Sequence, residues 1–372
     1  MQKVVIIGPA YPLRGGIASF NERLAAQFIQ QGYDTSIYTF SLQYPSILFP
    51  GNTQYSTEAA PTDVAIKVCI NSIWPPNWIK IGLELKKLRP NIIVVRYWLP
   101  FMGPCLGTIL RLVCKNNFTK IVCIADNIIP HEKRIGDKIF TSYFLKPINK
   151  LIVMSQKVKD DAKIFDANKP TTLILHPLYD NFGDKIDKQI ARKKIGINLD
   201  DKIILFFGFI RKYKGLDILL DALALIKAKG NVSFKVLIAG EFYEDRKAFD
   251  EQVAKLSLQN MLILHTDFIP NTEVQYYFCA ADVVIQPYRN ATQSGVTPLA
   301  YHFEVPMIVT NVGGLPDLVA NGKVGLVGEP NAEDIANKIT QYFNTNSSYF
   351  IENIKEEKKK FSWATLVEAI VK

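Results

Sequence analysis

Cysteine is scarce in this chain and shows no pairing pattern: Cys69, Cys105, Cys114, Cys123 and Cys279 are odd in number, form no CxxC and lie mostly among apolar neighbours. Buried free thiols in a reducing compartment follow, and a disulfide framework or structural zinc is excluded. No apolar run approaches the ~20 residues that a membrane-crossing helix needs. Met1-Gln2-Lys3 leads straight into an apolar strand-like run without a signal-peptide pattern, so a cytoplasmic protein is expected. Zinc-finger spacing, an arginine-rich arm and an RNA-binding aromatic signature are all missing, which removes nucleic acid from the expected partners. No GxGxxG opens the first helical stretch, and no acidic residue closes the run Ser36-Ile37-Tyr38-Thr39-Phe40. A dinucleotide-dependent oxidoreductase is therefore set aside. Neither a metal nor a cofactor is expected.

What is present is 372 residues, enough for two domains, with 48% hydrophobic and 21% charged residues, the balance of a packed protein. The net charge of +9 points to an anionic partner, either a phosphorylated substrate or an anionic lipid surface. Two aromatic stretches, Trp74-Pro75-Pro76-Asn77-Trp78-Ile79-Lys80 and Tyr97-Trp98-Leu99-Pro100-Phe101-Met102, read two ways. They either meet lipid headgroups, a position Trp and Tyr favour, or pack in a core or an acceptor cleft.

Short β-branched runs alternate with helical patterns along the whole chain. Strands are predicted at 4–7, 36–40, 92–95, 121–125, 151–154 and 172–175, then at 203–207, 235–239, 262–264, 283–286, 307–310 and 325–327. Between the first two, Ile17, Phe20, Leu24, Ala25 and Phe28 recur at helical spacing and form one apolar face. Such alternation means parallel sheets covered on both faces, here two doubly wound, Rossmann-like α/β domains facing across a cleft. The break is expected between 177 and 200, giving an amino-terminal domain over 1–180, rejoined by a carboxyl-terminal helix at about 358–372, and a second domain over 181–357.

Ligands of doubly wound sheets bind beyond the carboxyl ends of the strands. There the sequence places Gly8 to Gly16, Arg96, Asp126 to Glu132, Gly208 to Gly215, Gly240-Glu241, His265-Thr266-Asp267 and Pro287 to Val296. The most informative is the break at Gly208, followed by Arg211, Lys214-Gly215 and an amphipathic helix. Strand, short basic loop and helix start together present guanidinium, ammonium and backbone N–H groups to a phosphate. A second small-residue turn, Gln293-Ser294-Gly295-Val296, also lies between a strand and a helix. Each alone is also compatible with an ordinary connection carrying solvated lysines; together they suggest a diphosphate site.

These landmarks resemble the two-domain GT-B glycosyltransferases, specifically the retaining family 4 type, over nearly the full chain. Arg14-Gly15-Gly16 resembles the family's glycine-rich loop after the first strand. Phe207-Gly208 with Lys214-Gly215-Leu216-Asp217 resembles its donor-phosphate loop. Ala280-Ala281-Asp282-Val283-Val284-Ile285-Gln286-Pro287 resembles the strand leading to the sugar-nucleotide loop, Val312-Gly313-Gly314-Leu315-Pro316-Asp317 the next turn, and Phe361-Ser362-Trp363 the start of the terminal helix that crosses back to the first domain.

The resemblance implies metal-independent transfer of a sugar, with retention, from a nucleotide-diphosphate sugar bound mainly by the second domain. The acceptor, bound mainly by the first, is expected to be a saccharide in cell-surface polysaccharide synthesis; the basic, aromatic-rich composition of the first domain adds the expectation of a lipid-linked saccharide and of a peripheral place at the inner face of a membrane. Arg211 and Lys214 are the expected stabilisers of the leaving diphosphate, and His131 and Asp126 complete the catalytic candidates. Gly15, Gly16, Gly208, Ser294, Gly295 and Val296 are expected to bind donor, and Arg14, Arg96 and Asn127 acceptor. Arg96 either binds an anionic acceptor or pairs with a carboxylate. His131 either meets the donor sugar or caps a helix with Glu132. His176 and His302 read as structural.

Three departures from the family pattern stand out. Phe209 occupies the position of the family's usual arginine, Ala291 or a neighbour and Leu299 stand where paired glutamates are common, and Asp126 replaces a histidine. Ser294 and the amides of Gly295 and Val296 must then serve the donor loop. The departures leave open a non-catalytic GT-B-like binding protein and a nucleotide-sugar epimerase of the same architecture.

Overall fold

A computed structural model describes residues 1–45, 53–130, 134–230, 233–292 and 294–372. The chain divides into two compact units, Met1–His176 with Ser362–Lys372, and Pro177–Phe361.

The first unit runs β1 (Lys3–Ile7), α1 (Gly16–Gln30), β2 (Asp34–Leu42), β3 (Ala65–Asn71), α2 (Pro75–Leu88), β4 (Ile92–Tyr97), α3 (Gly103–Cys114), β5 (Lys120–Ala125), α4 (Asp137–Leu145), β6 (Lys150–Val153), α5 (Gln156–Phe165) and β7 (Thr171–Leu173). Its seven-stranded sheet has the order β3-β2-β1-β4-β5-β6-β7, and every pairing is parallel. Central strands are buried on both faces, as continuous Val and Ile runs require; every residue of β4 is buried. The stripe Phe20, Leu24, Ala25 and Phe28 of α1 is buried as its spacing predicts.

Strand β3 is one the sequence reading does not contain. It is an edge strand with a mostly exposed surface, interrupted by Lys67 and joined to β2 through register shifts. Its apolar residues, Ala65, Ile66, Val68, Cys69 and Ile70, are broken by Lys67 and mostly unburied, as befits an edge strand.

The second unit continues with α6 (Lys188–Lys194), β8 (Lys202–Phe207), α7 (Leu216–Ala228), β9 (Phe234–Ala239), α8 (Lys247–Leu256), β10 (Leu262–His265), α9 (Val274–Ala280), β11 (Val283–Gln286), α10 (Val296–His302), β12 (Met307–Thr310), α11 (Leu315–Leu318), β13 (Gly325–Gly328), α12 (Ala332–Phe343) and α13 (Ser347–Glu357). Its six-stranded parallel sheet is ordered β10-β9-β8-β11-β12-β13.

The last helix, α14 (Trp363–Val371), belongs to the first unit. Ser362 caps it through the Thr365 N–H. Trp363 packs on Phe20 at 4.8 Å and under Arg23 at 5.1 Å. Lys120 and Lys150 donate to the carbonyls of Val371 (3.0 Å) and Ala369 (2.8 Å), so two cations meet the negative end of the helix.

Strand order reverses once in each sheet, between β1 and β4 and between β8 and β11. A crevice opens beyond the carboxyl ends at such a switch point. The loops that leave β8 and β11 are those carrying Gly208 to Gly215 and Ser294 to Val296.

Candidate functional site

The phosphate-loop candidates of the second unit are braced against each other. The Gly208 N–H donates to Ala239 O at 2.8 Å, which continues the sheet one step past β8. The chain then extends to Arg211 and turns through a short 3-10 segment, Lys212–Lys214, that ends at Gly215 with φ +66°. A side chain at Gly215 is sterically barred, because its Cβ would lie 2.0 Å from the Pro287 carbonyl oxygen of the neighbouring loop. The Arg289 N–H donates to Tyr213 O at 2.7 Å, and the Arg289 guanidinium pairs with Asp217 in the first turn of α7. Thr310, at the end of β12, donates to Tyr288 O at 2.6 Å and so holds the second loop from its other side.

Lys214 lies inside this frame. It is 7% exposed, donates to Phe207 O at 3.3 Å and has its ammonium 5.7 Å from the Tyr288 ring centroid. Tyr288 in turn touches Ser294, hydroxyl to hydroxyl, at 3.4 Å. Lys214, Tyr288 and Ser294 therefore connect the two loops. Burial, and then the charge of Arg211, push the Lys214 ammonium down to about 7. No carboxylate of the described residues pairs with Lys214 or with Arg211, although Arg192, Arg246 and Arg289 of the same unit each meet an aspartate. Two cations held close together without a counter-ion suit an incoming polyanion.

The Val296 amide, assigned to the donor in the sequence reading, already donates to Ser294 Oγ at 3.2 Å, a local turn that the Ser-Gly-Val sequence makes by itself. Gly295 is exposed beside it. Ala291 and Leu299, at the positions of the common glutamates, are both buried. In their vicinity Gln286, at the end of β11, exchanges hydrogen bonds with Thr297 at 3.1 and 3.3 Å, and this fixes α10 to the strand. Phe209, at the position of the family's arginine, packs on Tyr243.

In the first unit Gly15 precedes α1 and Gly16 opens it, exposed. Arg14 follows the bridge of Leu13 to Tyr55 and its N–H donates to Gln54 O at 3.0 Å, so residues 53–56 strap the glycine-rich loop. Arg96 and Asp126 are both buried and form a two-pronged ion pair, Nε to Oδ2 at 2.6 Å and Nη2 to Oδ1, with the guanidinium 3.9 Å from the Phe20 ring centroid. Of the two readings of Arg96, the carboxylate pair is the one present, and Asp126 is the partner. Arg96 Nη1 is buried without a hydrogen-bond partner among the described residues. Asn127 is half-buried in the following loop. His131 lies outside the described residues. His176 packs edge-on against Phe20 at 5.1 Å and His302 meets Gly183 O at 2.8 Å, both structural contacts.

The aromatic stretches separate. Tyr97 is fully buried and stacked on Phe144 at 4.1 Å, and Trp98 donates to Tyr44 Oη at 2.6 Å while packing on the core. In the second stretch Tyr97 is thus core and Trp98, half-buried, is held by its packing contacts. In the first stretch Trp78 is also anchored, to Asn71 O at 2.7 Å, but Trp74 is 59% exposed. No helix of the described residues is long and apolar enough to cross a membrane.

The residues missed in the sequence are Tyr288, Tyr213 and Tyr243. Tyr288 adjoins the Gln286-Pro287 motif, but no periodicity signals that it meets Lys214, because the contact exists only once β8 and β11 are neighbours.

Solved structures of low identity share this architecture along its whole length. Anabaena HepE in complex with UDP aligns over 100% of this chain and 98% of its own, with a TM-score of 0.75 at 15% identity. The fold is that of the GT-B glycosyltransferases. Residues 187–361, a little under half of the chain, match the family described as Glycosyl transferases group 1. An uncharacterized glycosyltransferase of Methanocaldococcus jannaschii is 28% identical over 300 residues, 80% of this chain and 78% of that protein. The lipopolysaccharide core biosynthesis mannosyltransferase LpsB of Rhizobium meliloti is 30% identical over 42% of this chain and 46% of its own length. The chain spans about half the length of most of the curated relatives it matches.

Proposed function

We propose that the protein transfers a sugar from a nucleotide-diphosphate sugar to a saccharide or lipid-linked saccharide during cell-surface polysaccharide synthesis. The observation that carries this reading is Lys214, a buried lysine without a carboxylate partner among the described residues, set between the β8 and β11 loops at the topological switch point of the second unit. There Lys214 and Arg211 answer the charge of the diphosphate, including the one further negative charge that develops as it leaves, in a frame already braced by the Arg289, Tyr213 and Thr310 contacts. Groups fixed in advance need no reorganisation when charge develops, which is the largest usual source of rate enhancement for such a departure. Ser294 meets the same ligand from the second loop. As the bond from the anomeric carbon to the diphosphate breaks, the acceptor oxygen bonds to that carbon on the same face and gives its proton to the departing phosphate, so the configuration is retained and no protein base is required. No metal is assigned.

The first unit takes the acceptor along the strapped Arg14-Gly15-Gly16 loop and the Asn127 loop, with the buried Arg96–Asp126 pair supporting the latter. Relatives that build lipopolysaccharide support a saccharide acceptor. Membrane contact is assigned to the outer face of α2, where Trp74, Ile79 and Leu83 are exposed next to Lys80 and Lys87. Apolar side chains flanked by lysines suit an anionic headgroup layer.

The test is calorimetric titration with UDP, GDP, ADP and their common sugar conjugates, followed by transfer to saccharide acceptors with the product anomer read by NMR. Saturable binding of one nucleoside diphosphate and transfer with retention are expected. Binding without any transfer would favour the non-catalytic alternative, and interconversion of the free donor sugar would favour an epimerase.

A further inference from the structure

Arg211 is a cation whose side chain meets no acceptor among the described residues, yet it is not loose. Its guanidinium carbon stands 4.9 Å from the centroid of the Tyr243 ring. That ring is backed by Phe209 at 4.2 Å, and Phe209 by Phe268 at 6.3 Å, so three aromatic rings from the ends of β8, β9 and β10 form a continuous shelf. The backbone fixes the shelf's register. The Ile210 N–H donates to Glu241 O at 2.8 Å, the Tyr243 N–H returns to Ile210 O at 3.0 Å, and the Lys212 N–H meets Glu244 Oε1 at 2.9 Å. The two connections are thereby zipped together past the sheet's edge, and Tyr243 must come alongside Arg211.

We propose that Tyr243 is a positioning residue for phosphate binding: its ring face holds the Arg211 guanidinium beside Lys214, in place of the carboxylate that orients the other arginines of this unit. The choice of partner matters chemically. A carboxylate would neutralise the guanidinium and occupy the N–H fork that a phosphate needs, whereas an aromatic face attracts the cation and leaves the edge N–H groups available. Phe209 contributes by fixing the plane of Tyr243.

The inference rests on the phosphate-site reading above, and its test separates the two. The unaltered chain, Tyr243→Ala, Tyr243→Leu, Tyr243→Phe, Arg211→Ala and the Arg211→Ala/Tyr243→Ala pair are each titrated with UDP, GDP and ADP, with the matching nucleosides and with inorganic pyrophosphate. Thermal melts establish that each variant is folded; Tyr243→Leu keeps the bulk against Phe209 if alanine does not fold. Tyr243→Ala and Tyr243→Leu are expected to weaken the nucleoside diphosphate that binds, and pyrophosphate, by about fivefold, while Tyr243→Phe stays within about twofold. Nucleoside binding should not change, and Tyr243→Ala should add nothing once Arg211 is already alanine. Equal weakening of the nucleoside, or undiminished weakening in the Arg211→Ala background, would overturn the proposal and make Tyr243 a base-contacting or purely structural residue. If the unaltered chain binds none of these ligands, the phosphate-site reading itself falls and takes the positioning role with it.

Discussion

Lys214 makes a quantitative prediction about pH. Its ammonium titrates at about 7 in the unliganded protein, because burial first and Arg211 second disfavour the charge. A diphosphate beside it reverses that balance, so the bound form holds the proton. At pH 8 a group titrating at about 7 is only about one-tenth charged, and binding must then take up close to one proton from the buffer. The terminal phosphate, with its last ionisation near 6, contributes little change above pH 7. Affinity should therefore fall about tenfold for each pH unit above about 7.5, roughly 1.4 kcal/mol per unit. Calorimetry of the bound nucleoside diphosphate at pH 8, in two buffers of different ionisation enthalpy, measures the proton directly. Lys214→Met should abolish the uptake and weaken binding or turnover by about 2–4 kcal/mol. The same substitution should stabilise the unliganded protein. Below about 7 the lysine is charged in both folded and unfolded chains and the folded state bears the full desolvation penalty; between about 7 and 10.5 only the unfolded chain holds the extra proton, so stability rises with pH and the advantage of methionine shrinks. No proton uptake at pH 8, with binding intact, would refute the placement of Lys214 at the phosphate.

Three further outcomes follow from the geometry. Gly215→Ala forces a Cβ to 2.0 Å from Pro287 O at a positive φ, and a loss of at least about 2 kcal/mol in urea unfolding, or a displaced loop that no longer binds nucleotide, is expected. Arg96→Met strands the buried Asp126 and should lower stability by about 3–5 kcal/mol, most of it regained in the Arg96→Met/Asp126→Leu double variant; equal losses in both would deny that the pair acts as a unit. Replacing Ile79 and Leu83 by Ser should release the protein from anionic vesicles in sedimentation without lowering nucleotide affinity, and unchanged sedimentation would remove α2 as the membrane face.

The legible and illegible parts of this molecule divide along one physical line. Segments that bury both faces of a parallel sheet must be apolar throughout, so β4 and β5 declare themselves, and the Gly208 to Gly215 loop is visible because it follows such a strand. Strand β3 buries little, and Lys67 divides its apolar residues into two short pieces. The same limit governs the site. Charge and glycine at a strand's end mark where a phosphate loop lies, but whether a charged residue is available depends on what the fold sets opposite it. Arg96 and Arg211 look alike in sequence, each a basic residue shortly after an apolar strand. Folding gives Arg96 a buried carboxylate on the neighbouring strand's end and gives Arg211 an aromatic face. The first becomes part of the scaffold, and the second, on the reading proposed above, keeps its hydrogen-bond donors for a ligand. Partner choice across adjacent strand ends, rather than residue type at one of them, is what distinguishes Arg96 from Arg211 in this chain.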